Sequence, residues 1–202
     1  MKCARFLMIT AVLISGCVTE APYDPLVDYE EVDASTILAA PRAMPGSFSP
    51  QNRNAVARGK YMVELLGCGV CHTNGALVGD PDLDRALAGS QTGIAYASPL
   101  GDDNPGVVYP PNITPDDTTG IGGWTDSQVA NAIRAGIGRH SSRRITYMPW
   151  QGYARLSDED VNAIVSYLRS IEPVYHQVPK SVEPGEPAKQ PFVYFGVYRS
   201  KR

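Results

Sequence analysis

The run Cys68-Gly69-Val70-Cys71-His72 constrains this chain more than any other stretch. C-x-x-C-H is the signature of c-type haem attachment, in which two thiols add across the vinyl groups and the adjacent imidazole takes one axial site on the iron. One helical turn between the cysteines lets both sulfurs reach the same porphyrin edge, and the next residue then points its ring at the metal. A thioredoxin-like redox pair would sit in a chain whose strands alternate with helices, and no such alternation is found. A zinc site would want a second Cys or His pair at suitable spacing, and none follows. Chance occurrence is the remaining alternative, so the rest of the chain has to test the motif.

The first sixteen residues form a separate object. A short basic segment, Met1-Lys2-Cys3-Ala4-Arg5, precedes a mostly apolar run from Phe6 to Ile14. That run is too short to span a bilayer and fits the apolar region of a signal peptide. It ends in Ile14-Ser15-Gly16-Cys17, which resembles the bacterial lipobox; cleavage before Cys17 and lipidation of its thiol are therefore expected. Ordinary cleavage near Gly16 is the alternative. Acyl chains on Cys17 would hold the protein at a membrane surface without a spanning helix. With Cys3 removed, Cys17 lipidated, and Cys68 and Cys71 committed to haem, all 4 cysteines have a destination.

The remaining chain divides into an acidic, proline-punctuated tether over 17–52, a haem domain over 53–173 and a proline-rich, aromatic tail over 174–202. As a flexible coil the tether would reach on the order of 35 Å; the alternative is an arm that wraps the domain or a neighbour. From Arg53 to Gly67, Val56, Met62, Val63, Leu65 and Leu66 suggest a helix with one buried face. Gly59 within it points to close helix packing. Residues 73–111 carry repeated turn signals and read as a loop wrapped on a haem edge. Thr125-Asp126-Ser127-Gln128 matches a capping box, and the helix after it places Val129, Ile133 and Ile137 on one face. A last helix opens at Ser157, with three carboxylates in its first turn, and carries Val161, Ile164, Val165, Leu168 and Ile171 until Pro173. The aromatic run Phe192–Tyr198 looks extended and too apolar for a free tail. It is expected to dock on its own domain, or otherwise on a partner. The formal charge of −3 gives no reason to expect a nucleic-acid partner.

The second axial ligand decides between electron transfer and chemistry at the iron. Met1 and Met8 leave with the signal, Met44 lies in the tether, and Met62 lies six residues before Cys68. Met148 remains, in a Met-Pro context between two helices, where Pro149 stiffens the loop presenting it. Met148 as a core residue stays open, as do His140, in a basic loop, and His176, after the last helix and expected to be solvated.

The C-x-x-C-H run, the segment NITPDDTTGIGGW from Asn112 to Trp124, Met148-Pro149-Trp150 and the helix LSDEDVNAIVSYLRS together resemble class I cytochromes c. They are most similar to haem domains of cytochrome subunits serving membrane-bound bacterial alcohol, gluconate and aldehyde dehydrogenases. The resemblance covers about residues 53–173. It implies an all-α fold of few short helices around one covalent haem c, His72 and Met148 as axial ligands, and a one-electron carrier role. It also implies Trp124, and Arg143 or Arg144, as partners of the haem propionates, and a carbonyl of Pro110 or Pro111 orienting His72. Two departures stand out: those subunits usually carry three haems, and their usual Pro-Ala-Met-Pro is here Thr146-Tyr147-Met148-Pro149.

Three function classes follow. The leading one is a lipid-anchored monohaem carrier in the bacterial periplasm. It is not an enzyme: it takes no small-molecule substrate at the iron, and it serves redox proteins or a membrane-bound electron-transfer complex. The second is a fixed electron-transfer subunit of a respiratory or dehydrogenase complex, docked through the arm and tail. The third is a haem enzyme or gas sensor with an open axial site, against which stands the want of a distal acid–base pair.

Overall fold

Two 13-residue helices, α1 (Arg53–Leu65) and, last among the described residues, Asp158–Ser170, cross at Gly59. A Cβ built on Gly59 would lie 2.0 Å from the carbonyl oxygen of Ala163 and 2.7 Å from the Tyr167 Cβ. Only hydrogen fits there, so glycine's entropic penalty in a helix is offset by backbone-to-backbone packing. Val56, Met62 and Val63 are buried against Val161, Ile164, Val165, Leu168 and Ile171. Leu65, expected on the buried face, is exposed. It follows Val56 by nine residues, which at 3.6 residues per turn puts it on the opposite side.

The computed structural model describes residues 32, 37–96, 104–138 and 147–195. The signal segment, Cys17, His140, Arg143 and Arg144 lie outside the described residues. After α1 the chain turns at Gly67, whose left-handed φ of +66° suits glycine, into the short helix α2 (Cys68–His72). Helix α3 (Asp126–Ala135) begins with the expected reciprocal cap. Thr125 Oγ1 accepts from the Gln128 backbone N–H at 3.2 Å, while the Gln128 side chain accepts from the Thr125 N–H at 2.9 Å. Gly136 ends it at φ +65°, one residue before Ile137. A single turn, α4 (Trp150–Tyr153), precedes α5 (Asp158–Ser170). Helix α5 is capped by the Ser157 hydroxyl accepting from the Asp160 N–H. Arg58 joins α1 to the start of α5 by an ion pair with Asp160 at 2.5 Å.

The described residues also contain a three-stranded sheet that the all-α expectation omitted. β1 (Gly93–Ala95) pairs antiparallel with β2 (Val107–Val108) and parallel with β3 (Phe192–Tyr194), in the order β2-β1-β3. These strands are two or three residues long, too short for alternation to announce them; β1 and β2 pair within the 73–111 loop, and β3 joins them because the tail returns to it. Val107 and Val182 exchange both backbone hydrogen bonds, at 2.9 and 2.8 Å, and Tyr109 Oη donates to the Gln190 carbonyl. The aromatic run is thus extended and docked on its own domain over Phe192–Tyr194.

At the other end, the part of the arm from Leu38 to Ser49 lies on the domain, as the wrapping alternative has it. Met44 N–H donates to the Ser170 carbonyl at 2.8 Å, Tyr167 Oη donates to that of Pro41 at 2.7 Å, and Phe48 packs on the core. Among the described residues no helix is long and apolar enough to cross a membrane.

Candidate haem site

An open, mostly apolar cleft adjoins the helix crossing, and Cys68, Cys71 and His72 are among the residues that line it. Helix α2 follows the left-handed turn at Gly67, so its single turn puts both thiols on the cleft wall. Burial pushes the Cys68 thiol up to about 11 and raises that of Cys71, so both remain S–H at neutral pH. His72 Nδ1–H donates to the Pro111 carbonyl at 2.7 Å. A carbonyl can only accept, so this bond fixes the tautomer and leaves the Nε2 lone pair available as a ligand. Burial lowers the His72 pKa against the opposing pull of that bond, which keeps the ring neutral and its lone pair open. Backbone contacts fix the same segment, since Gly89 N–H donates to the His72 carbonyl at 2.8 Å.

Met148 reaches the same cleft from the loop before α4, 76 residues after His72 in sequence. Tyr147, at the usual alanine position, also lines it; burial and the neighbouring Tyr194 raise the Tyr147 pKa. The apolar walls come from Ile94 on β1, Ile113 and Ile121, Val129 and Ile133 on α3, and Leu168 on α5. Trp124 lines the cleft as well. Val129, Ile164 and Leu168 belong at once to the cleft wall and to the buried core, so a group bound here would complete that core.

His176 does not behave as a rival ligand. Its side chain is buried rather than solvated, with Nδ1 donating to the Ala88 carbonyl at 2.8 Å and Nε2 facing the Gln91 amide at 3.4 Å. Among the described residues no cluster of three or more His, Cys, Asp or Glu side chains is arranged to hold a metal ion alone.

Some supporting residues have no clear signature in the sequence. Arg169, in the last turn of α5, donates to the carbonyls of Ile121, at 2.6 Å, and of Trp124, and to the Asp126 carboxylate at 3.1 Å. It thereby shapes the loop that carries Ile121 and Trp124 to the cleft. Its place near a helix C-terminus was the available signal, and that alone suggests only a dipole partner. Asn112 is buried with its amide fully engaged. It donates to the Val174 carbonyl at 2.7 Å and to Thr119 Oγ1 at 3.0 Å, and accepts from Thr114 N–H and Oγ1. This network clamps the turn after Pro111 to the chain leaving α5.

Two thiols and an imidazole in one helical turn, with a thioether lining the same apolar cleft, fit the class of proteins that hold haem covalently. The walls suit a flat apolar ring. A family model for cytochrome c matches residues 56–172. The chain belongs to the cytochrome c family, whose members carry covalently bound haem c.

Curated relatives agree. The chain is 36% identical over 146 residues to the fructose dehydrogenase cytochrome subunit of Gluconobacter japonicus, covering 71% of this chain and 27% of that one. It is 36% identical over 120 residues to the cytochrome c subunit of the quinone alcohol dehydrogenase of Gluconobacter oxydans, covering 59% and 22%. The gluconate 2-dehydrogenase cytochrome c subunit of Pantoea cypripedii is 34% identical over 124 residues, covering 61% and 25%. The chain spans about a quarter of the length of these relatives.

Proposed function

We propose that this chain is a monohaem class I cytochrome c, ligated by His72 and Met148, that carries single electrons. The observation that carries the reading is the convergence of Cys68, Cys71, His72 and Met148 on one cleft. Bound there, the haem supplies a one-electron redox iron. Cys68 and Cys71 would hold it through thioethers. The Pro111 carbonyl keeps His72 in one tautomer and strengthens Nε2 as a donor. His72 and Met148 would both ligate the iron, which would leave no site on it for substrate. A thioether ligand and apolar walls both favour the reduced state and a comparatively high potential. Trp124, which lines the cleft, would meet a propionate, and Arg143 or Arg144 would share that role.

The test is the optical spectrum of the oxidised holoprotein, which should show the weak far-red band of sulfur-ligated ferric haem. Met148→Ala should abolish that band while leaving the covalent haem in place. A band unchanged by that substitution would remove Met148 from the iron.

In the proposed setting, lipidation of Cys17 after signal cleavage holds the domain at a membrane facing the bacterial periplasm, and the residues before Leu38 act as its tether. A second reading, the fixed subunit of a dehydrogenase, is favoured by the names of the three relatives above. Native detergent extraction separates the two. A subunit migrates with a sugar- or alcohol-oxidising activity at high apparent mass, whereas a shuttle migrates as a single chain in its detergent micelle, apart from that activity.

A further inference from the structure

Helix α4 is one turn long and follows Met148 directly, so something other than its own hydrogen bonds must hold it in place. Tyr153, its last residue, lines the cleft, and its hydroxyl donates to the Leu66 carbonyl at 3.0 Å. Leu66 caps the C-terminus of α1 and precedes Cys68 by two residues. Its carbonyl falls among the last few of that helix, which have no partner within the helix. Back along the chain, the Tyr153 N–H donates to the Pro149 carbonyl at 3.3 Å, and the Trp150 N–H to that of Met148 at 2.7 Å. A short relay therefore runs from Leu66, two residues before the first thiol, through one phenol, to the backbone of Met148. It links the segment leading into α2 to the loop that carries Met148.

We propose that the Tyr153 hydroxyl is a positioning group that ties the Met148 loop to the attachment helix and so controls how readily the Met148 sulfur yields its place to an outside ligand. This rests on Met148 being the second ligand. Tyr153 contributes no ligand itself; it holds the loop that does. Without its hydroxyl the loop keeps its packing, including Trp150 against Gly136, but loses its bond to the segment that leads into α2.

The test uses ferric holoprotein titrated with imidazole, an exogenous ligand that must displace the thioether. Tyr153→Phe retains the ring and removes only the bond. Its apparent imidazole affinity should rise about fivefold, the equilibrium worth of one net hydrogen bond, with covalent haem content unchanged. Asp158→Asn serves as the control. It breaks the Arg134–Asp158 ion pair, 2.7 Å long and just beyond α4, without touching the tie, and should titrate like the parent protein. Equal imidazole affinity in Tyr153→Phe and parent would overturn the proposal. So would an equal rise in Asp158→Asn, or a Tyr153→Phe chain that fails to retain haem, because the phenyl ring preserves the packing. Failure of the underlying ligand assignment is distinguishable, since the parent would then lack the far-red band and Met148→Ala would leave its spectrum unchanged.

Discussion

Replacing both thiols, Cys68→Ser with Cys71→Ser, is expected to leave a chain that carries no covalent haem and does not hold its native fold. The first half of that result follows from the chemistry: serine hydroxyls do not add to vinyl groups as thiols do. Haem staining after denaturing electrophoresis should disappear, and intact-mass measurement should return the bare polypeptide. The second half follows from the packing. Leu66, Ile113, Trp124 and Ile133 line the cleft and are only partly buried by the protein, so a bound group is needed to cover apolar side chains that the chain alone leaves accessible. Burial of such surface is the main favourable term in folding, and a domain's net stability is only about 5–15 kcal/mol. The double variant should therefore lose cooperative thermal unfolding and bind a hydrophobic dye. A single Cys68→Ser chain, with one thioether left, should keep its haem through denaturation at reduced yield. Cooperative unfolding of the double variant at the parent temperature would show that the fold stands without its prosthetic group.

Gly59→Ala should cost about 3 kcal/mol, although alanine is the better helix former by about 1 kcal/mol. The new methyl would sit 2.0 Å from the Ala163 carbonyl oxygen and 2.6 Å from its carbon, both backbone atoms of α5. A side chain could rotate away; a helix backbone has to move as a whole, which places this substitution at the upper end of overpacking costs. Both helices lie beside the cleft, α1 through Leu66 and α5 through Ile164 and Leu168, so the shift should also disturb the haem environment. The melting temperature should fall by about 10 °C. Gly152→Ala is the matched control: nothing lies within 4 Å of its added methyl, and it should be neutral or slightly stabilising. If Gly59→Ala melts with the parent protein, the helices cross less closely than described.

What the sequence disclosed was mostly what local rules govern. The Thr125–Gln128 cap and the Ser157 cap announce themselves within a few residues, and each is present; Gly59 signals a packing constraint, while the helix it packs against is implied by family likeness. The Pro111 carbonyl on His72 was foreseen from family likeness, and Met148 on the cleft from elimination. The sheet was not foreseen. Its strands are set by partners far along the chain, and Ile94 pairs with Val108 on one side and Val193 on the other. Leu65 shows that a list of apolar positions is not yet a face. Tyr153 and Arg169 act through carbonyls of distant residues, and a carbonyl looks the same whatever residue bears it. The buried His176 owes its place to Ala88, another backbone acceptor that sequence does not mark.

The pairing of β1 with β3 also dictates an order of events. Gly93 meets Phe192 across nearly the whole length of the domain, and closing so long a loop is entropically costly and kinetically late. The wall of the cleft that includes Ile94, Val108 and Ser181 therefore becomes firm only after the C-terminal segment has arrived. Helix α2, by contrast, is complete within five residues. The two thiols can therefore be presented while that side of the cleft is still open, and the arrival of the tail shuts it.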